Sequence, residues 1–220
     1  HLKSGGNWDL VTACDLSDPA TQDAAIRYLK TTGAAVACLA PTCTPYGPRS
    51  WQNYQQNYDT WLNSYQLAKP HAKFSGEVAK LQLELGRDFI MENPHPSWIY
   101  DEHPWPEVVQ NEKVDSRVIH QCMTGQKGPS GMLVKKPTGF VASHQALLKP
   151  LEKFVCDGRH NHEQVTGAEL KKMALWTNAL ASAAADGICD LIAMKKRNSG
   201  EASQLNRRFE LSSGASCRVD

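Results

Sequence analysis

Apolar positions along this chain switch between two periods, and the switches mark its elements. Ala25, Ile26 and Leu29 recur at helical spacing behind Asp18-Pro19, where the aspartate side chain caps and the proline sits where no amide hydrogen is needed. Gly33 stops that helix. Ala34 to Ala40 is then a nearly continuous apolar run, the pattern of a strand buried on both faces. Trp8 to Ala13 reads as a short strand ahead of the helix, so strand, helix and buried strand together predict a parallel crossover. Phe74, Val78, Leu81 and Leu85 trace a second helix ended by Gly86, and Asp88 to Asn93 reads as the next buried strand. Ser116 to Met123 and Phe140 to His144 read as two further strands around a glycine-rich turn. Met173, Trp176, Leu180, Ala184, Ile188 and Leu191 trace one face of a long helix, followed by a polar tail from Asn198 to Asp220.

Two segments fit neither period. From Pro41 to Pro70, Tyr46, Trp51, Tyr54, Tyr58, Trp61 and Tyr65 alternate with Asn, Gln and Pro. That mixture predicts either a mobile, ligand-facing segment or a loop and helix whose aromatics pack on the surface. The prolines and histidines between Pro94 and Pro106 predict irregular backbone.

A length of 220 residues suits one ordinary domain or a large piece of a bigger one. The formal net charge of +1 excludes an overall electrostatic signature of nucleic-acid binding. Contact with phosphates would fall to local clusters: Lys127, Lys135 and Lys136, or Lys195, Lys196, Arg197, Arg207 and Arg208. Seven cysteines without regular spacing, no signal peptide and no membrane-length apolar run predict an intracellular protein of the nucleus or cytoplasm, away from membranes. The chain opens on His1, and the expectation is that its native start lies upstream or was removed.

Two strand ends carry candidate chemistry. Ala40-Pro41-Thr42-Cys43-Thr44-Pro45-Tyr46 places a thiol at the carboxyl edge of the sheet, where open α/β folds keep their sites, and Met91-Glu92-Asn93-Pro94 ends the next strand with a carboxyl. Taken singly, such a cysteine or glutamate is ordinary packing or a structural hydrogen-bond acceptor. A cysteine hydrolase would need a histidine beside Cys43, and His71, His95 and His103 are the nearest candidates in the text. Separately, Cys156-x3-His160-x-His162 groups three zinc-type ligands, with Cys122, His120 or His144 open as a fourth.

The ordered elements APTCTPY, FIMENP, QCMTG and KKPTGF resemble the cytosine-5 DNA methyltransferases, above all their divergent phage and mobile-element members, over roughly residues 8–165. The resemblance implies a Rossmann-like parallel sheet of the S-adenosylmethionine-dependent type, with residues 1–197 as a partial domain and 198–220 as its tail. It implies DNA as the partner and a flipped cytosine as the target. Cys43 would add to carbon-6, Glu92 would hold the base and donate to N3, and the segment after Cys43 would close over the site. Asp15 and Pro41 would lie on the cofactor side, and similar proteins of the divergent group often carry a Cys and His cluster near Cys156.

Departures define what else to expect. Thr42 stands where family members usually have proline, Tyr46-Gly47 replaces their aromatic-Ser ending, and their Gln-x-Arg-x-Arg element is absent near Gln121 and Cys122. Nothing before Trp8 supplies the glycine-rich donor turn, so the fold is expected to be incomplete at its amino end. The strand Ala34 to Ala40 would then have an uncovered edge, to be filled by a missing segment, a second chain or a rearranged sheet. A catalytically inactive binding or assembly module, such as a fragment of a mobile-element polyprotein, is the alternative to an enzyme.

Overall fold

The computed structural model describes residues 2–9, 12–166 and 169–213. Helix α1 (Pro19–Thr32) starts where expected: Asp18 Oδ2 accepts the Thr21 amide at 2.9 Å, and Gly33 ends it at a φ of 68°. After it come β1 (Val36–Leu39), α2 (Ser50–Gln56), α3 (Tyr58–Glu84), β2 (Asp88–Pro94) and α4 (Trp105–Val109). Then follow β3 (Asp115–His120), β4 (Pro137–Ala142), α5 (Gln145–Leu148), α6 (Glu169–Lys172) and α7 (Asn178–Ser213).

The four strands form one sheet in the order β1-β2-β4-β3. β1 and β2 are parallel, in register from Val36 with Asp88 to Leu39 with Met91. β4 runs antiparallel to both of its neighbours. The protein is therefore of mixed α/β type, and its sheet is not the wholly parallel one expected. Connections explain the difference. A parallel pair needs a long crossover, which α2 and α3 supply between β1 and β2, whereas β3 returns to β4 through a turned loop in which Lys127 bridges Leu133. One edge of the sheet consequently collects the carboxyl ends of β1, β2 and β3 and the amino end of β4.

Three further expectations change, and of the two readings of the aromatic segment the loop and helix holds. Trp8, Asp9, Thr12 and Ala13 are not in a strand, while Leu10 and Val11 lie outside the described residues. β1 is not buried on both faces: Cys38 is exposed, because β1 ends the sheet and nothing among the described residues pairs with its outer side. Most of the aromatic segment is helical; Asn57 Oδ1 caps α3 at Thr60, and Tyr58, Trp61 and Tyr65 then share one face of it. Met173 and Trp176 precede α7, which runs on past Asn198 to Ser213 without a break. Residues 214–220 of the expected tail lie outside the described set.

The sheet is covered on both faces. Along β2, Phe89 and Met91 enter one cluster with α3 and α4, and Ile90 enters the other with Phe140, α5 and α7, as the period of two dictates. On the first face α3 presents Ala68, Ala72, Gly76 and Ala79, and these small residues admit the fully buried Trp105. Its Nε1 donates to Ala72 O at 3.0 Å, so the largest core residue leaves no indole donor unpaired. On the second face Gly187 of α7 lies so close to α5 that a Cβ there would stand 2.9 Å from Leu147 O.

Candidate active site and metal centre

The chemistry-bearing residues converge on the edge just described. Cys43 follows β1 in a tight turn whose carbonyl accepts the amides of Tyr46 at 3.0 Å and Gly47 at 3.2 Å. That turn sits beside the end of β2: a Cβ on Gly47 would stand 3.7 Å from Pro94 Cβ, and Trp98 N donates to Tyr46 O at 3.0 Å. Glu92 leaves β2 at the same edge, and Lys136 enters β4 there, because antiparallel pairing sets Pro94 opposite Thr138. Lys136 Nζ is steadied by Met173 O at 3.1 Å.

Electrostatics tie these three side chains together. Burial pushes the Cys43 thiol up, the Glu92 charge adds to that push, and the Lys136 ammonium opposes it. Burial likewise raises the Glu92 carboxyl, against the pull of Lys136 and a hydrogen bond from Trp176. A protonated Glu92 exerts no Coulombic push on the thiol, which leaves Lys136 as the group favouring thiolate. Glu92 Oε1 is buried with no hydrogen-bond partner among the described residues, as are Asn93 Nδ2 next to it in sequence and the hydroxyl of Tyr100, which feels the Glu92 charge. Buried polar atoms are normally satisfied, so this end of β2 has hydrogen-bonding capacity that the described residues do not use.

Lys136, Trp176 and Tyr100 are site neighbours that sequence reasoning did not assign. Lys136 was visible only as part of the KKPTGF element and of a basic cluster. Two of the residues expected on the cofactor side are placed differently. Asp15 is exposed, follows no strand among the described residues, and spends one oxygen on the Ser17 amide at 2.8 Å, which lowers its pKa. Pro41 lies just beyond β1, half-buried. No glycine-rich turn follows a strand ahead of them, so the described residues form no donor cradle. Lys195 of the basic cluster is committed to an ion pair with buried Asp88.

The hydrolase reading requires an imidazole on the Cys43 sulfur, and none among the described residues hydrogen-bonds it. His71 faces Asp15 at 3.9 Å and His103 faces Glu107 at 3.3 Å, while His95, just past β2, packs by Gly139 of β4.

The second group is a ligand set. Ligand atoms of Cys122, Cys156, His160 and His162 all lie within 4.8 Å of one another. Cys156 Sγ stands 3.5 Å from His162 Nε2 and 3.8 Å from His160 Nε2. Ligands bonded to tetrahedral zinc stand about 3–4 Å apart, so small side-chain rotations close this set. Of the candidate fourth ligands, Cys122 joins it; His120 Nδ1 accepts the Cys156 amide and His144 Nδ1 caps α5. Burial and then Cys156 push the Cys122 thiol up to about 11, a proton that a bound cation would displace. The cluster is linked to the Cys43 turn through Arg49, whose Nη1 donates to Val165 O at 3.0 Å.

No helix among the described residues is long and apolar enough to cross a membrane. Against these site features, no protein-family model, curated protein or solved structure matches the chain.

Proposed function

We propose that this chain is the base-handling part of a Rossmann-like, cytosine-5 DNA methyltransferase-like fold, in which Cys43 adds to a flipped cytosine that Glu92 holds. The observation that carries the reading is the orphaned, buried Glu92 Oε1 at the same sheet edge as the Cys43 turn and Lys136. A parallel pair with a helical crossover and antiparallel strands added beyond it is also compatible with one flank of a doubly wound sheet.

Addition proceeds as follows. The Cys43 proton passes to solvent water, helped by the Lys136 charge, and the thiolate forms a bond to carbon-6. The ring electrons shift toward N3, which takes the Glu92 proton; a carboxyl that burial keeps protonated is suited to give it. Lys136 offsets the negative charge left on Glu92. Carbon-5 thereby becomes nucleophilic. Methyl transfer from S-adenosylmethionine is what the resemblance implies for the whole fold, but the described residues do not build its site and no step here runs through it. Zinc in the Cys122, Cys156, His160, His162 set would brace the loop that Arg49 joins to the catalytic turn.

Addition without a donor has its own signature. Cytosine carbon-5 hydrogen should exchange with D2O in a cytosine-containing oligonucleotide, read by mass spectrometry, and Cys43→Ser should abolish the exchange. Wild-type protein that binds the oligonucleotide without exchange would instead establish the second reading, a silent binding or assembly module, which the lack of a donor cradle among the described residues favours.

A further inference from the structure

Beside the Cys43 turn, α2, α3 and the segment after β2 enclose a cavity of about 290 Å³. Trp51, Tyr54, Trp61 and Trp98 wall it, and the carboxylates of Asp101 and Glu102 stand at its rim. Two stacked pairs form the walls, Trp51 on Tyr54 at 13° and Trp61 on Tyr65 at 10°, and they are inclined to one another: Tyr54 meets Trp61 at 89° with centroids 5.0 Å apart, and Trp51 meets Trp98 at 53°. Trp51 is still 51% exposed and Trp98 43%, so ring surface remains open to solvent.

Charge selects among occupants. No lysine, arginine or histidine lines the cavity, whereas a nucleic-acid strand stacking on aromatic rings needs cations for its phosphates. Two carboxylates beside several π faces describe the opposite ligand, a cation of low hydration. The fold already shows that attraction, since the Lys69 ammonium lies 5.0 Å over the outer ring Tyr65. Glu102 is engaged by the Tyr46 hydroxyl at 3.3 Å and by the Lys69 charge, so Asp101, which has no ion pair among the described residues, is the carboxylate left to a ligand. The volume is at the small end of ligand sites, suited to one side chain rather than an extended molecule.

We infer that this cavity binds a methylated ammonium group, presented as a trimethyllysine side chain of a partner protein. The inference does not depend on the methyltransferase reading.

Tryptophan fluorescence of the full chain tests it, using Gly-Gly-Lys-Gly-Gly peptides in which the lysine is unmodified, trimethylated, or replaced by its uncharged tert-butyl isostere. Saturable quenching by the trimethylated peptide is expected, with the isostere binding at least about tenfold more weakly because it lacks the charge. Trp51→Ala and Asp101→Asn should each weaken binding about fivefold or more. Both residues are exposed, so unchanged circular dichroism and unfolding temperature should accompany the loss. Equal binding of the isostere would overturn the inference in favour of a plain apolar pocket. Quenching by a single-stranded oligonucleotide but not by the trimethylated peptide would overturn it in favour of a nucleic-acid surface, and no quenching at millimolar peptide would overturn it outright.

Discussion

Replacing Glu92 with glutamine should make the protein more stable at alkaline pH, and under the proposed function it should also abolish the carbon-5 exchange. In the wild type a carboxyl sits at a buried strand end with Oε1 unpartnered, and burial raises its pKa. Glutamine keeps an oxygen in the place of Oε1, so the unpartnered acceptor burdens both proteins alike, and the gain is confined to the proton that the variant no longer has to hold. Each tenfold rise in the proton affinity of a carboxyl on folding corresponds to about 1.4 kcal/mol at alkaline pH, and Lys136 and Trp176, which favour the charged form, reduce the gain. For a chain of this size each kcal/mol is about 2–4 °C in Tm.

The sign follows from proton counting. A carboxyl whose folded pKa lies above its unfolded one keeps its proton in the native state at pH values where the unfolded chain has lost it. Wild-type stability therefore falls as pH climbs from the ordinary glutamate range to the raised value, and the glutamine variant escapes that fall. Thermal unfolding of both proteins at pH 4 and pH 8 should show matching curves at the acid end and a separation at the alkaline end. A glutamine variant that is less stable at pH 8, or one separated equally at both pH values, would refute the argument and give Glu92 a structural partner.

Two other outcomes are expected. Purified protein should contain about one zinc per chain by elemental analysis, lost together with thermal stability on chelation or in a Cys156→Ala, His160→Ala double variant. Gly187→Ala should lower the urea midpoint without changing the slope: its Cβ would meet the Leu147 and Ala146 carbonyls at 2.9 and 3.0 Å. Overpacking against backbone costs about 1–3 kcal/mol, which exceeds the helix propensity of about 1 kcal/mol that alanine adds.

Those parts of the fold that rest on local physics were legible in the text. Asp18-Pro19 and Gly33 bound α1 because capping and positive φ are decided by single residues. The apolar run Phe89 to Met91 marks β2 because a central strand must be apolar on both faces. Cys43 and Glu92 were visible as strand ends, and their common edge followed from a parallel crossover. What the text hid depends on pairing between distant segments. The reversal of β4 leaves no mark on its own residues, and it alone brings Lys136 to Glu92. The exposure of Cys38 was equally hidden, because an apolar run reads the same at the edge of a sheet as at its centre. The aromatic segment left two readings open, a mobile stretch or a loop and helix, because its Asn and Gln blur the period, although the spacing of Tyr58, Trp61 and Tyr65 already fits a helix face. Cys122 could be placed among three candidate ligands only by the path of β3 into its following turn.

The outer side of β1, which pairs with nothing among the described residues, bears on how the candidate site can be furnished. A strand laid along Val36–Leu39 in the direction of β1 would find a row of ready amide and carbonyl partners. Running that way, it would finish beside the Cys43 turn and deliver whatever residues follow it to the thiol. The surroundings of Cys43 are thus open to contribution from any segment that matches this ladder, on the same polypeptide or on another.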